Sequence, residues 1–565
     1  MSSSKLVLKL LQQVGVKGEI KFSAVPKIEM GDLAYGCFNL SKEWQKNPAQ
    51  CAQELAQKIS ELKLSKYGLE KVMAMGPYIN FYFDSKVFAK EVLVQASNKD
   101  FGENKLGKGK KAMVEFAHPN THKAFHIGHL RNITTGESLA RILDNAGYKV
   151  IRVNYQGDVG MHIAKCMWGI LHSEDEYLTA KKKNVEEKAI FLGKVYALGG
   201  QAYEKEGQAK KEIVELNEKI YNQSDKKVNT IYKDTRKWSL DYFELIYKRV
   251  GVKFDRFYFE SQVFKRGRDM VQKAVVAEIL KQSQGAVIFE GEKFGLHSRV
   301  FLNSQGFPTY EAKDLALAEL QLKEYKPDII FHVVAKEQTE YFRVLFKALE
   351  YILPKSKDKE KHLIYGWVTL KEGKMSSRTG QVVLGEWLLN EVKAKIREIV
   401  KDHDIKNKEE VAEKVAVAAV KYTFLHTSTS NDISFSINES ISLTGDSGPY
   451  LLYIVARIKS ILRKTGKVKD YKGNEYIPES VEKNLLNKIA EFEEAAQKAA
   501  VEFDPSKIAH YLLDLAQNFN NFYAHCPVLK AESESLSFRL SLIKVVEKVM
   551  ARGLYLLGIE TVEEM

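Results

Sequence analysis

Ala112-Met-Val-Glu-Phe-Ala117 is a short apolar run, helical periodicity then extends from Gly128 to Asn145 and stops at Gly147, and a second apolar run, Val150 to Tyr155, ends at Gly157-Asp158. Strand, helix and strand within about 45 residues read as a βαβ unit, which requires a parallel sheet with helices on its faces. That feature sets the fold class as α/β. Ligands of such sheets bind at the carboxyl ends of the strands, so the loop after Ala117 is where chemistry is to be sought. Alternating runs resume from Gly285, with Ile329 to Val334 the clearest buried strand.

Around this unit the chain of 565 residues has room for three to four domains. Residues 1–105 read as an α+β unit: helical periodicity in Leu6 to Val14, a turn at Gly31-Asp32, a helix from Pro48 to Leu62 and a strand from Tyr78 to Phe83. Gly102 to Lys111, with four lysines, has linker composition and reads as a solvated loop at least as readily as a binding element. The parallel-sheet domain is assigned to 106–390, with a charged helical insertion at about 173–250. From 391 to 565 only amphipathic helical stretches are legible, predicting an all-α domain without strands. Its helix Pro449 to Lys464 carries an apolar stripe, Leu452, Val455, Ile458 and Leu462, and a basic face that reads as solvated or as nucleic-acid binding.

Lysine and arginine number 86 against 73 acidic residues, a net charge of +13, which favours a polyanionic partner such as nucleic acid or nucleotide phosphates. The four cysteines, Cys37, Cys51, Cys166 and Cys526, lie far apart without a Cys-x-x-Cys spacing. That spacing predicts neither a disulfide framework nor a zinc site, and fits a reducing, cytoplasmic compartment. No run of 18 or more apolar residues suggests a membrane span.

His126-Ile-Gly-His129 follows the first strand and opens the helix. Histidines three apart share a face at the helix amino end, where unpaired N–H groups favour anions, and Gly128 offers a backbone that a base or phosphate can approach. Two solvated histidines are the bland alternative. Lys374-Met-Ser-Ser-Arg378, between Gly373 and Gly380, supplies cationic and hydroxyl side chains suited to closing over a triphosphate. Glu115 lies inside an apolar strand, where a lone carboxylate needs a cationic partner, structural or ligand. Tyr310 and Asp314 are one helical turn apart and present a phenol and a carboxylate on one side.

The pairing of His-x-Gly-His with Lys-Met-Ser-Ser resembles the two signatures of class I aminoacyl-tRNA synthetases. Glu115 to Asn132, Val153-Asn-Tyr-Gln-Gly-Asp158 and Thr309-Tyr-Glu-Ala-Lys-Asp-Leu-Ala316 resemble the arginyl-tRNA synthetase family, a resemblance that covers nearly the whole chain. Gly31-Asp-Leu-Ala34 and Gly76 to Phe81 are similar to that family's additional tRNA-binding domain. Gly448-Pro-Tyr-Leu-Leu-Tyr453, Asp504 to Leu529 and the closing Gly-Leu-Tyr-Leu-Leu-Gly-Ile559 are similar to its helical anticodon-binding domain.

The resemblance implies a Rossmann-type catalytic domain and a two-step reaction. Arginine is activated with ATP and Mg²⁺ and then transferred to the terminal adenosine of an arginine-specific tRNA. It implies that Glu115 and Asp314 hold the guanidinium, that Tyr310 adds a hydroxyl contact, and that Asn120 and Gln338 orient the amino-acid end. His126, Gly128, His129, Lys374, Met375 and Ser376 would bind ATP, and His126, His129, Lys123 and Lys374 would be catalytic. No protein-bound metal or zinc, no membrane partner and a monomer are expected. The family's usual second loop lysine is replaced by Ser377, followed by Arg378, and Lys123 occupies the position thought to compensate. Val334-Ala-Lys-Glu-Gln338 also departs from the family's usual Gly-Ala-Asp-Gln. Two alternatives remain at this point: a small His-x-Gly-His nucleotidyltransferase and a catalytically silent, RNA-binding synthetase-like protein.

Overall fold

The computed structural model describes residues 3–23, 25, 30–205, 207–371, 383–466, 471 and 476–565. Five parallel strands form the central sheet: β1 (Lys111–Glu115), β2 (Lys149–Gln156), β3 (Arg256–Phe259), β4 (Ile329–Ala335) and β5 (Glu360–Tyr365), in the order β5-β4-β1-β2-β3. The direction of winding reverses between β1 and β4, so the connections leaving their carboxyl ends run to opposite faces of the sheet and leave a crevice between them. β1 and β4 are apolar because helices cover both faces; Ala112, Met113, Val114, Ile330 and Val333 are all fully buried. Helix α1 (Ile127–Asn145) connects β1 to β2.

The insertion folds as helices Glu174–Ala180, Val185–Glu204 and Gln208–Asn222, followed by the long helix α2 (Lys226–Arg249). These helices share a core of their own around Ile163, Met167, Val195 and Ile213. After a three-stranded antiparallel sheet at residues 281–302, helix α3 (Tyr310–Glu324) returns the chain to β4.

The N-terminal unit is a four-stranded antiparallel sheet with helices, and its strand Tyr78–Phe83 has the predicted bounds. Asp32, in the predicted turn, accepts the Phe83 N–H at 2.8 Å and pairs with Lys483 at 2.9 Å, tying this unit to the C-terminal helices. The lysine-rich linker is fastened as well: the Asn145 amide donates to Gly102 O at 2.7 Å and the Gly107 N–H to Ala146 O at 2.9 Å. Helices dominate from Gly385 onward, and the predicted helix is present as Gly448–Thr465 with Leu452, Val455 and Ile458 buried. Part of its basic face is committed internally, Lys459 to Glu563 at 2.6 Å and Arg457 against the rings of Tyr453 and Tyr523.

The expectation of no strand after residue 391 is corrected by Ile433–Phe435, which pairs in parallel with Val368–Leu370. A three-residue strand has too little length for alternation to show, and its partner lies more than 60 residues away. No helix among the described residues is long and apolar enough to cross a membrane.

Candidate active site

The loop after β1 is held in a conformation the sequence does not advertise. Ala117, His118 and His122 adopt left-handed φ values of 78°, 48° and 62°, each a strained choice for a residue with a side chain. Compensation comes from hydrogen bonds that leave the loop few alternatives. Ala117 N–H donates to Asn132 Oδ1 at 2.6 Å, Thr121 N–H to Gly157 O at 2.9 Å, and His122 N–H to Ser239 Oγ on α2 at 2.9 Å. The His122 ring sits between Thr121 Oγ1 and Thr235 Oγ1 at 3.1 and 2.8 Å, and burial, with Arg236 adding to it, lowers its pKa to about 3. It is a neutral clamp between loop and α2.

That loop, the ends of β1 and β4 and the start of α3 enclose a cavity of about 590 Å³, within the roughly 300–1,000 Å³ of small-ligand sites. Glu115, Asn120, His126, His129, Tyr310, Asp314 and Gln338 all line it. Residues from three separate stretches of sequence thus meet at one place. Gly128 and Lys123 are not in the lining, and Lys374, Met375 and Ser376 lie outside the described residues, as do Ser377 and Arg378. The chain beyond them returns beside the histidines: Ile127 N–H donates to Val383 O at 2.8 Å and Gly385 N–H to Phe125 O at 2.9 Å.

On one wall His126 caps α1 and its ring stacks on that of His129, centroids 3.7 Å apart. His126 N–H donates to His129 Nδ1 at 3.2 Å, which assigns the His129 proton to Nε2. Burial, then Lys123, lowers the His126 pKa to about 4; burial, then His126, holds His129 well below its usual range. Both imidazoles are therefore neutral near pH 7 and act as dipolar donors. A side chain at Gly128 would meet the His126 ring at 3.0 Å, so its bareness also leaves that ring its place. Lys123 is half-buried, with its ammonium 5.4 Å from the centre of the Tyr196 ring in the insertion.

The opposite wall is acidic. Glu115 is 3 % exposed; its Oε1 contacts His332 Nδ1 at 3.1 Å and its Oε2 accepts from the Gln321 amide. Burial alone would raise its pKa, and the His332 charge more than offsets that, so the carboxyl sits below its ordinary value. The cationic partner expected for a buried Glu115 is therefore a histidine. Asp314 is half-buried, and its Oδ2 accepts from Tyr341 at 2.6 Å. Among the described residues no cation pairs with it, and burial, opposed by that bond and reinforced by Glu115, raises its pKa to about 8. Tyr310, 59 % exposed, stands at the rim. A side chain at Gly157 would come within 2.1 Å of Asn120 Oδ1, so Gly157 keeps open the space that amide occupies.

Sequence reasoning missed several groups here. Tyr155 and Tyr341 line the cavity, as does Glu260, whose Oε2 accepts from Lys313 at 2.7 Å. Gln321 had a signal, since it lies two turns beyond Asp314 on the same helix face. His332 had the one that exposed Glu115, a polar residue inside an apolar central strand. Tyr341 had none, because its bond to Asp314 crosses between helices.

Comparison with known proteins gives the same reading over the full length. A family described as tRNA synthetases class I (R), catalytic domain, matches residues 90–437. The arginyl tRNA synthetase N terminal domain matches 4–83, and the DALR anticodon binding domain matches 451–565. An arginine–tRNA ligase of Treponema denticola is 34 % identical over 97 % of this chain and 95 % of its own length. One of Clostridium perfringens is also 34 % identical, over 96 % and 95 %. The solved arginyl-tRNA synthetase of Thermus thermophilus superposes with a TM-score of 0.80 at 28 % identity, covering 99 % of both chains. With its catalytic, N-terminal and anticodon-binding modules all matched in order, the chain belongs to the arginyl-tRNA synthetase family of class I tRNA synthetases.

Proposed function

We propose that the chain is an ATP-dependent arginine–tRNA ligase whose reaction runs in the 590 Å³ cavity between the acidic wall and the histidine pair. The observation that carries this reading is Asp314, a carboxylate facing the cavity without a cation of its own among the described residues. A guanidinium supplies what it lacks, and a fork of donors suits carboxylates approaching from two sides. In this reading Glu115 and Asp314 hold the guanidinium, Tyr310 adds its hydroxyl, and Asn120 and Gln338 orient the α-amino and carboxylate groups.

The arginine carboxylate attacks the α-phosphorus of ATP in line and pyrophosphate leaves. A ribose hydroxyl of the terminal tRNA adenosine then attacks the adenylate carbonyl, and AMP leaves. Catalysis of this kind is positioning plus stabilisation of charge on phosphoryl oxygens. His126, Gly128 and His129 would meet the nucleotide together with Lys374, Met375 and Ser376. With both imidazoles neutral, Lys123 and Lys374 would supply full positive charge in this reading, and Mg²⁺ would accompany the nucleotide and neutralise its phosphates. Domain boundaries near 105 and 390 and action as a monomer in the cytoplasm complete the reading. Four free, buried cysteines suit a reducing compartment. A bare nucleotidyltransferase would have no use for the helical module at 451–565.

Charging of purified tRNA with each amino acid in turn tests the proposal. Arginine alone should be esterified in an ATP-dependent way; charging of a different amino acid, or of none, overturns it.

A further inference from the structure

β4 is apolar along its length except for His332, which is 7 % exposed. A histidine buried in a central strand has to satisfy two ring nitrogens. Here both face carboxylates: Nδ1 lies 3.1 Å from Glu115 Oε1 on β1, its register partner, and Nε2 lies 2.8 Å from Glu360 Oε2 at the start of β5. A neutral imidazole has one N–H and would set its bare nitrogen against a carboxylate oxygen; the doubly protonated ring satisfies both contacts. The rings of Phe342 and Phe346, 5.3 and 5.6 Å away, close over it.

A cation therefore already touches the carboxylate meant for the substrate's cation. The arrangement makes sense if its task is to make Glu115 usable. Two carboxylates sharing a low-dielectric cavity normally force one to keep its proton. His332 opposes that at Glu115 directly and at Asp314 through space, while Gln321 secures the second Glu115 oxygen. We propose that His332 is a positioning residue of the arginine site: bridging Glu115 and Glu360, it fixes the orientation of the Glu115 carboxylate, keeps it charged, and eases the release of the Asp314 proton when a guanidinium binds between the two. The inference rests on the arginine reading and goes beyond it in assigning selectivity to a residue outside the cavity lining.

The charged and titratable groups facing this ring are Glu115 and His118 from β1 and the loop after it, Glu360 and His362 from β5, and Asp314 from α3. With His332→Gln the two cavity carboxylates lose their internal cation. In tRNA-dependent ATP–pyrophosphate exchange by the full chain, the arginine KM should rise at least tenfold while the ATP KM stays within twofold. The pH at which arginine affinity is half-maximal should move upward. An unchanged arginine KM and pH profile in a folded variant overturns the proposal, and so does an equal loss toward arginine and ATP, which would mark a purely structural role. If the variant does not fold, ¹⁵N spectra of the wild-type histidines decide. An imidazolium at pH 8 whose shifts respond to arginine supports the assignment; a neutral ring, or an imidazolium indifferent to arginine, overturns it. Failure of the wild type to charge arginine at all would instead sink the ligase reading.

Discussion

Asp314 and Lys421 are the two ends of a useful contrast. Each is a titratable group taken out of water, and burial drives each toward its neutral form, Asp314 up to about 8 and Lys421 down to about 7. Each also borders a cavity, the catalytic one of about 590 Å³ and one of about 860 Å³ at the junction with the C-terminal helices. Their partners differ. The Lys421 ammonium donates to Val250 O, the cap of α2, at 2.7 Å, and to Gly558 O beyond the last helix. Those are helix-end carbonyls that would otherwise lack donors, at the negative ends of two helix dipoles. Lys421 is thus a joint between insertion and C-terminal helices. Asp314 has one phenol and an open cavity. A buried charge completed by the fold marks architecture; one left incomplete marks a place for a ligand.

The sharpest way to break the contrast is Asp314→Asn. An unpaired guanidinium in a desolvated site should cost ~3–5 kcal/mol, a fall of roughly 10²–10³ or more in kcat/KM for arginine. The unliganded fold should become more stable at pH 8, because the native state no longer holds a carboxylate reluctant to ionise. Loss of stability together with activity, followed by thermal melting, would make Asp314 architectural too.

pH tests the same residue without mutation. Arginine pairs with the ionised carboxylate, so below pH 8 binding must first expel a proton from the empty site. Affinity should rise about tenfold per pH unit from 6 to 8 and then level, with proton release visible as a buffer-dependent heat in titration calorimetry. Stability follows the opposite sign. Between the ordinary value of 3.8 and about 8 the native state holds a proton that the unfolded chain has lost, so this group's contribution falls as pH rises.

Lys421→Met should invert the pattern. Leaving two helix-end carbonyls without a donor should cost ~2 kcal/mol of stability, with arginine and ATP KM values within twofold of wild type. In the wild type the native state binds fewer protons than the unfolded chain between about 7 and the ordinary 10.5, so stability gains with pH there, and methionine should abolish that gain. A large change in arginine KM would show that the joint is coupled to the site.

How far the sequence could be read follows from the range of the forces involved. The strand at Tyr78–Phe83, helix α1 and the buried run of β4 were legible because apolar periodicity is a local signal. Glu115 was legible because it violates that periodicity, and the same rule applied to His332 would have found the ring that holds it. Tyr341 and the strand Ile433–Phe435 were not, because each is defined by a partner brought close only by the fold. Nor could the loop after β1 be foreseen: its left-handed Ala117 and His118 are maintained against local preference by Asn132 and its neighbours.

Lys123 gives the smallest effect and the one most sensitive to position. Its ammonium rests over the Tyr196 ring, a contact worth about 0.5–1 kcal/mol where solvent reaches it. To neutralise phosphate oxygens beside two uncharged imidazoles it must exchange that ring for the nucleotide. Lys123→Ala should slow adenylate formation at least roughly tenfold, about 1.4 kcal/mol of barrier, with little change in melting temperature, since no ion pair among the described residues is lost. Tyr196→Leu should leave the chemistry near wild type or slightly faster, because the resting contact is weakened while the lysine remains. A wild-type rate for Lys123→Ala would place the missing positive charge on Lys374 and Arg378 alone, leaving Lys123 as a contact between the histidine loop and the insertion.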